Sequence, residues 1–161
     1  MADMTTFEAE LRISRLNLDY ARCIDEDRLE SWVDYFEGED ARYLILPREN
    51  ADAGLEGYWM YCRNKPMMRD RIMALRKANI YNIHYDRHIV GGSQVVGVED
   101  GVYDVRTSYC VIQTDVEGRS EVFSAGEYRD KAVLNNGEAR FREKIVVPDT
   151  FNIARPLAVP L

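Results

Sequence analysis

Residues 120–148 read SEVFSAGEYRDKAVLNNGEARFREKIVVP, and this stretch decides the fold. Two long strand-like runs flank Asn135-Asn136-Gly137, a strong signal for a hairpin turn because Asn and Gly tolerate positive φ angles. After the turn, apolar residues alternate with basic ones: Phe141, Ile145 and Val147 with Arg140, Arg142 and Lys144. This alternation predicts a half-buried strand. Gly126, in the middle of the first run, is expected to mark a bulge.

Further strands are predicted on the N-terminal side of this hairpin. Residues 103–111 alternate apolar and polar side chains, as in a strand with one buried face. His88 to Val98 is predicted as the first strand of the same sheet, with Gly91-Gly92 interrupting it. Two shorter strands are predicted earlier, over Arg42 to Leu46 and over Gly54 to Cys62.

The first part of the chain has helical periodicity. Apolar residues from Phe7 to Ile24 recur at steps of three and four, with Thr6 as the expected N-cap. A second, short helix is predicted over Asp27 to Phe36, and Pro66 is expected to open a third. The broad stripe of the first helix favours burial in a concave surface.

Helices followed by long antiparallel strands indicate an α+β fold. We expect a curved sheet that closes around the N-terminal helix as a cone with a pocket. At 161 residues the chain is expected to form one domain over residues 1–161.

Composition and charge limit the classes of partner and the location expected for this protein. The net charge is −7, and basic residues form no run, which argues against nucleic acid and anionic membranes as partners. Apolar stretches fall short of the roughly 18 residues that a membrane span needs, and the N-terminus does not read as a signal peptide. Cys23, Cys62 and Cys110 form no CxxC pair, so they read as free thiols in a reducing cytoplasm.

Candidate metal ligands are few. His84 and His88 have the spacing of an HExxH pair, but Tyr85 stands where that motif has its general base. His84, Asp86 and His88 match the ligand types of a mononuclear iron site, although alternate strand positions would be cramped. A Rieske cluster needs two Cys and two His, and no Cys lies near either His in the sequence. We therefore expect no metal site here, and expect Arg87-His88 to make buried hydrogen bonds or subunit contacts.

Acid–base candidates are also weak. Asp19 and Tyr20 on the first helix would suit acid–base work if both faced a pocket. Arg15 and Arg22 flank Asp19 at helical spacing, however, which favours an ion pair on the helix surface.

The basic ridge of Arg140, Arg142 and Lys144 is expected to be solvated, to pair across strands with acids such as Glu127, or to face an acidic partner. Neither a GxGxxG loop nor a GxSxG elbow is present. The sequence thus assigns no catalytic, cofactor-binding or metal residue.

Several segments together resemble the small (β) subunit of aromatic-ring-hydroxylating dioxygenases, in order and spacing, over almost the whole chain. They are 24–36 (IDEDRLESWVDYF), 43–50 (YLILPREN), 68–76 (MRDRIMALR), 87–90 (RHIV), 122–130 (VFSAGEYRD), 142–149 (REKIVVPD) and the apolar tail 155–161 (RPLAVPL). The likeness is greatest to small subunits of aromatic-acid systems such as anthranilate, salicylate or terephthalate.

The resemblance implies a cystatin-like cone, as in ketosteroid isomerase and scytalone dehydratase. It also implies a non-catalytic subunit that assembles with a large (α) subunit, three of each. The Rieske [2Fe-2S] cluster and the mononuclear Fe(II) are expected in that partner, and a reductase supplies electrons from NAD(P)H. No family catalytic residue carries over to a position of this sequence.

Two alternatives remain at this stage. One is an independent cone-fold dehydratase or isomerase that uses Asp19, Tyr20, His84 or His88 as acid and base. The other is a ligand-binding module with an apolar pocket. Two acid–base groups that converge on an open cavity would favour the first.

Overall fold

A computed structural model describes residues 5–77, 83–149, 157 and 159–161. The helices are α1 (Thr6–Asp25), a 3-10 helix (Leu29–Tyr35), α2 (Arg48–Ala53) and α3 (Lys65–Lys77). The strands are β1 (Arg42–Ile45), β2 (Met60–Cys62), β3 (His84–Val90), β4 (Gln94–Glu99), β5 (Val102–Asp115), β6 (Ser120–Asn135) and β7 (Glu138–Pro148).

The seven described strands form one mixed sheet in the order β2-β1-β7-β6-β5-β3. β1 runs parallel to β7, and the other pairs are antiparallel. β3 and β4 follow one another along the same edge of β5. This confirms the predicted α+β cone around an N-terminal helix.

Helix α1 lies with one face against the core. Its N-cap is Thr5 rather than the predicted Thr6, and Thr5 and Glu8 form a capping box. Ala9, Ile13, Leu16, Tyr20, Cys23 and Ile24 are buried. Phe7 and Leu11, the first residues of the predicted stripe, are exposed instead. Ala9 is buried between these two positions, so Phe7 and Leu11 lie on a face of the helix that points away from the core.

Two predicted strands are shorter than expected. Residues 54–59 are not in a strand, because the preceding α2, which the sequence analysis missed, ends at Gly54 in the left-handed conformation with φ 65°. The predicted strand His88 to Val98 is two strands, β3 and β4, that separate at Gly91-Gly92.

The hairpin turn is confirmed. Asn136 and Gly137 have φ values of 51° and 83°, which is the combination that a two-residue turn with right-handed twist needs. The predicted bulge at Gly126 is wrong, since its pairing with Tyr109 and Pro148 continues the regular register. A Cβ at Gly126 would overlap the main-chain oxygen of Val147, so glycine permits a close approach of two backbones there.

Bulges lie elsewhere in the hairpin: Phe123 is the extra residue of β6 where it pairs with β5, and a second bulge lies in β7. Lys131 pairs with Glu143 and Ala132 pairs with Phe141, which leaves Arg142 as the extra residue. An extra residue reverses the alternation of faces beyond it. Lys144 therefore points into the core, where the sequence pattern predicted an outer ridge.

Candidate functional site

The interior of the cone contains a buried ion pair. Lys144 Nζ lies 3.0 Å from Asp130 Oδ2 and donates to Asn17 Oδ1 at 2.8 Å, and neither charged side chain has accessible surface. The ammonium group also lies over aromatic rings, 3.6 Å from the ring centroid of Tyr128 and 4.3 Å from that of Phe141. Hydrogen bonds and ring faces together replace the water that this charge loses on burial.

A hydroxyl network extends this pair to neighbouring elements. The Asn17 side-chain amide donates to Ser93 Oγ at 3.1 Å, and the Thr107 hydroxyl donates to the same atom at 2.8 Å. The network thus links α1, the segment before β4, β5, β6 and β7 inside the sheet. Polar groups with fixed partners of this kind specify one register of packing.

Burial shifts both charges of the pair toward their neutral forms. Burial lowers the pKa of Lys144 to about 8, and the nearby Asp130 carboxylate opposes that shift. Burial raises the pKa of Asp130 as well, against the effect of Lys144. The pair is enclosed by protein, so this geometry supports a structural role rather than proton exchange with a substrate.

A second buried polar pair joins α1 to β3. Asp25 Oδ1 lies 2.6 Å from His88 Nδ1, and the main-chain N–H of His88 donates to Asp25 Oδ2 at 2.9 Å. The His88 side chain has no accessible surface. Its Nε2 is buried without a hydrogen-bond partner among the described residues. The expectation that Arg87-His88 makes buried hydrogen bonds is therefore confirmed for His88.

The other candidate metal ligands on β3 interact with neighbouring side chains. His84 Nε2 lies 3.6 Å from Asp86 Oδ2, and Gln113 Nε2 donates to Asp86 Oδ1 at 3.1 Å. The His88 side chain is paired with Asp25 instead of with these two residues. Within residues 5–77 and 83–149, no three His, Cys, Asp or Glu side chains are placed to hold a metal ion together.

Asp19 and Tyr20 do not form an acid–base pair. Asp19 is partly exposed and makes an ion pair with Arg15 at 3.0 Å, as the sequence predicts. Tyr20 is fully buried, and its hydroxyl donates to the main-chain oxygen of Leu161 at 2.6 Å. The two side chains therefore lie in different environments, and the groups that an independent dehydratase would need do not converge on an open cavity.

The sequence analysis missed the residues that form this interior. The signal for Asn17 was present, since it is an amide within the buried stripe of α1. No local sequence pattern indicated that Asp25 belongs to the interior. Asp130 and Lys144 could not be recognised as a buried pair from the sequence, because the bulge in β7 depends on strand pairing.

Comparison with known proteins shows the family to which this chain belongs. A family model described as the SnoaL-like domain matches residues 5–144. The small subunit of anthranilate 1,2-dioxygenase from Burkholderia cepacia is 40% identical over 159 residues, which is 99% of this chain and 96% of the relative. The chain belongs to the small (β) subunits of aromatic-ring-hydroxylating dioxygenases.

Further relatives agree with this placement of the β subunit. Subunit beta 2 of the terminal oxygenase component of terephthalate 1,2-dioxygenase from Comamonas sp is 35% identical over 152 residues, covering 94% of this chain and 98% of the relative. A crystal structure of the β subunit of a proposed aromatic-ring-hydroxylating dioxygenase from Novosphingobium aromaticivorans superposes with a TM-score of 0.86. That chain is 39% identical, and the match covers 95% of this chain and 97% of the other. The resemblance read from the sequence is thereby confirmed.

Proposed function

We propose that this β subunit is the non-catalytic, structural small subunit of a multicomponent Rieske oxygenase that hydroxylates an aromatic acid, with O₂ and NAD(P)H-derived electrons. The observation that carries the proposal is the 40% identity, over nearly the full length of both chains, to an anthranilate dioxygenase small subunit. Terephthalate, named for another relative, is also an aromatic acid.

The residues present do not fit the iron groups of such an oxygenase. A Rieske cluster takes two Cys and two His. Cys23 and Cys62 are buried in the hydrophobic core, and Cys23 Sγ donates to the main-chain oxygen of Arg28 at 2.9 Å. We therefore assign the [2Fe-2S] cluster and the mononuclear Fe(II) to the large subunit, and no catalytic, cofactor-binding or metal residue to this chain.

The outer face of the sheet supports a partner-binding role. Tyr85 and Ile89 on β3 and Val122 on β6 are 68%, 55% and 64% exposed. Ile112 on β5, which pairs with Val122, lies between these strands. The exposed Arg87, which pairs with Ile112, lies among these side chains. Apolar side chains grouped on a surface with a polar residue among them mark sites of protein association. We propose a large subunit and further copies of this chain as the partners, in an assembly of three plus three.

The proposed contribution of the subunit is rigidity. Three small subunits in one frame would fix the distances between neighbouring large subunits, across which electrons must pass. The chain is proposed to act as one domain over residues 1–161 in the cytoplasm, where its free thiols stay reduced. No helix among the described residues is long and apolar enough to cross a membrane.

The test is to purify this chain with and without its large subunit, and to measure mass by light scattering together with iron content and oxygenase activity. We expect a hexamer that contains iron only when both chains are present. A large subunit that alone forms an intact trimer with undiminished activity would refute the structural role.

The outer face provides a matched pair of variants for the same experiment. Ile89→Glu places a charge on the proposed contact face, and Val98→Glu places one on β4, where the side chain is similarly exposed. We expect Ile89→Glu to reduce the hexamer fraction more than Val98→Glu. Equal effects would remove the support that this face gives to the assembly.

A further inference from the structure

A row of alternating charges crosses four strands on the outer face of the sheet. In the strand order β5, β6, β7, β1, the residues paired with one another are Asp104, Lys131, Glu143 and Arg42. Lys131 Nζ lies 3.9 Å from Asp104 Oδ1, and Arg42 forms an ion pair with Glu143. Each charge in this row, which we name the charge row, therefore has only opposite charges as its neighbours in the row.

The buried ion pair continues this pattern one residue further along the same two strands. Asp130 is paired with Lys144, directly beside the pairing of Lys131 with Glu143. Successive side chains along a strand point to opposite faces of the sheet, so one of these pairs lies inside and the other outside. A single register of β7 against β6 thus places opposite charges across from each other on both faces.

Without the bulge, β7 would be shifted by one residue relative to β6. Arg142 would then stand between Lys131 and Arg42 in the charge row, and Glu143 would face Asp130 in the interior. Three basic residues would be neighbours outside, and two carboxyl groups would be buried side by side. Like charges on directly opposed residues destabilise a sheet, and two buried carboxyl groups that share a site cannot both ionise.

Burial of apolar side chains does not distinguish the two registers at this end of β7. Val146 belongs to the hydrophobic core, and Val147 on the other face of the strand also has no accessible surface. Helix α2 contacts β7, so this part of the strand is covered on both faces. The shifted register would turn Ile145 and Val147 inward and Lys144 outward, as the apolar pattern of the sequence predicts. The apolar pattern alone would therefore allow the shifted register.

We propose that charges on neighbouring strands, and not apolar burial, select the register of β7, and that the bulge at Arg142 is the consequence. The charge row acts on the outer face, and the Asp130–Lys144 pair acts inside. This role explains why a buried ion pair is present, since such a pair is often no more stabilising than apolar residues of similar volume. The proposal goes beyond the structural role in an oxygenase and does not rest on it, because it concerns the folding of this chain alone.

The test moves the charge pattern of β7 by one position. The triple variant Arg142→Glu/Glu143→Lys/Lys144→Thr restores opposite charges on both faces only in the shifted register. In the register of the unaltered chain, the variant would leave Asp130 buried without a cation and would place a second base opposite Lys131. We expect it to fold without the bulge, with position 143 paired with Asp130 in place of position 144.

The measurement is the set of backbone nuclear Overhauser effects between β6 and β7. In the unaltered chain they should connect Arg129 with Ile145 and Asp130 with Lys144. In the triple variant each of these contacts should move by one residue along β7. Arg142→Glu alone is the matched control, because the bulged residue has no partner on β6, and every contact should stay in place.

Two results would overturn the proposal. One is a triple variant that folds with position 144 still paired with Asp130. If the triple variant does not fold, a chain without Arg142 replaces it, because this deletion removes the extra residue and keeps every pair of opposite charges. We expect that chain to fold with Glu143 still paired with Lys131 and Lys144 with Asp130. Failure of this chain to fold, or pairing in any other register, is the second result that would overturn the proposal.

Discussion

Replacing Lys144 with methionine tests the buried ion pair directly. The change removes both hydrogen bonds of the ammonium group and leaves the Asp130 carboxylate without its cation. Asp130 Oδ1 already has no partner among the described residues, and Oδ2 would keep a single long hydrogen bond from Asn17 Nδ2 at 3.5 Å. Removing one partner of a buried pair costs about 3–5 kcal/mol, and the poor remaining solvation of Asp130 favours a value near 4.

The assay is urea unfolding of the purified chain at pH 7. With a denaturant slope of about 2 kcal/mol/M, the midpoint should fall by about 2 M. Lys131→Met is the matched control, because Lys131 is half exposed and its nearest acid, Asp104, is 3.9 Å away. We expect this surface change to alter stability by less than about 0.5 kcal/mol.

The pH dependence and a double variant separate charge from packing. In Lys144→Met, burial keeps the pKa of Asp130 above its unfolded value of about 3.9. The folded form then holds its proton more tightly than the unfolded form, so the deficit in stability should grow as the pH rises from 4 to 7. The Asp130→Leu/Lys144→Met double variant should recover most of the loss, because it leaves no uncompensated charge. A loss below 1 kcal/mol that does not change with pH would refute this reasoning.

Three further predictions concern other parts of the interior. Gly126→Ala should destabilise the chain by about 3 kcal/mol in urea unfolding, because the new Cβ overlaps the Val147 backbone. In the control Gly92→Ala the Cβ meets nothing within 4 Å, so stability should change by less than about 0.5 kcal/mol. Equal effects of the two variants would contradict the close approach of the backbones at Gly126. Asp25→Ala should lower the free energy of unfolding by about 3 kcal/mol, because the buried His88 side chain and main-chain N–H lose their hydrogen-bond acceptor. The assembled oxygenase should keep its turnover below the unfolding temperature. A loss of turnover without unfolding would instead give the pair a role in catalysis. Alkaline titration above pH 10.5 should unfold the chain cooperatively. Tyrosines of the unfolded chain ionise near pH 10 while the buried ones of the folded chain stay protonated, so stability is lost as the pH rises. A gradual rise of tyrosinate absorbance without unfolding would contradict this prediction. The tyrosines concerned, all with raised pKa, are Tyr20, Tyr43, Tyr109 and Tyr128.

Local patterns in the sequence were sufficient for most elements of the fold. The turn at Asn136-Gly137 was predictable because its φ angles depend on the residues themselves. The alternation along β5 and the periodicity of α1 reflect one buried face each, and both elements form where expected. The prediction that this chain carries no catalytic or metal residue stays a prediction.

Other features depend on strand register, which local sequence does not encode. The bulge at Arg142 exists because of how β7 pairs with β6, and beyond it the buried face passes from Ile145 to Lys144. A pattern reading without that bulge places a lysine outside, as it did here. The single residue inserted in the pairing decided that the charge is in the core.

The sequence by itself determined the class of fold, the long helix and hairpin and the family, because these follow from patterns within short windows and from their spacing. The tertiary structure alone decided the contents of the interior. Asp130 and Lys144 meet across a hairpin 14 positions apart, and Tyr20 meets Leu161 over 141 positions. Such contacts arise when the sheet closes around α1, and the closed shape of the sheet fixes which side chains share the space within it.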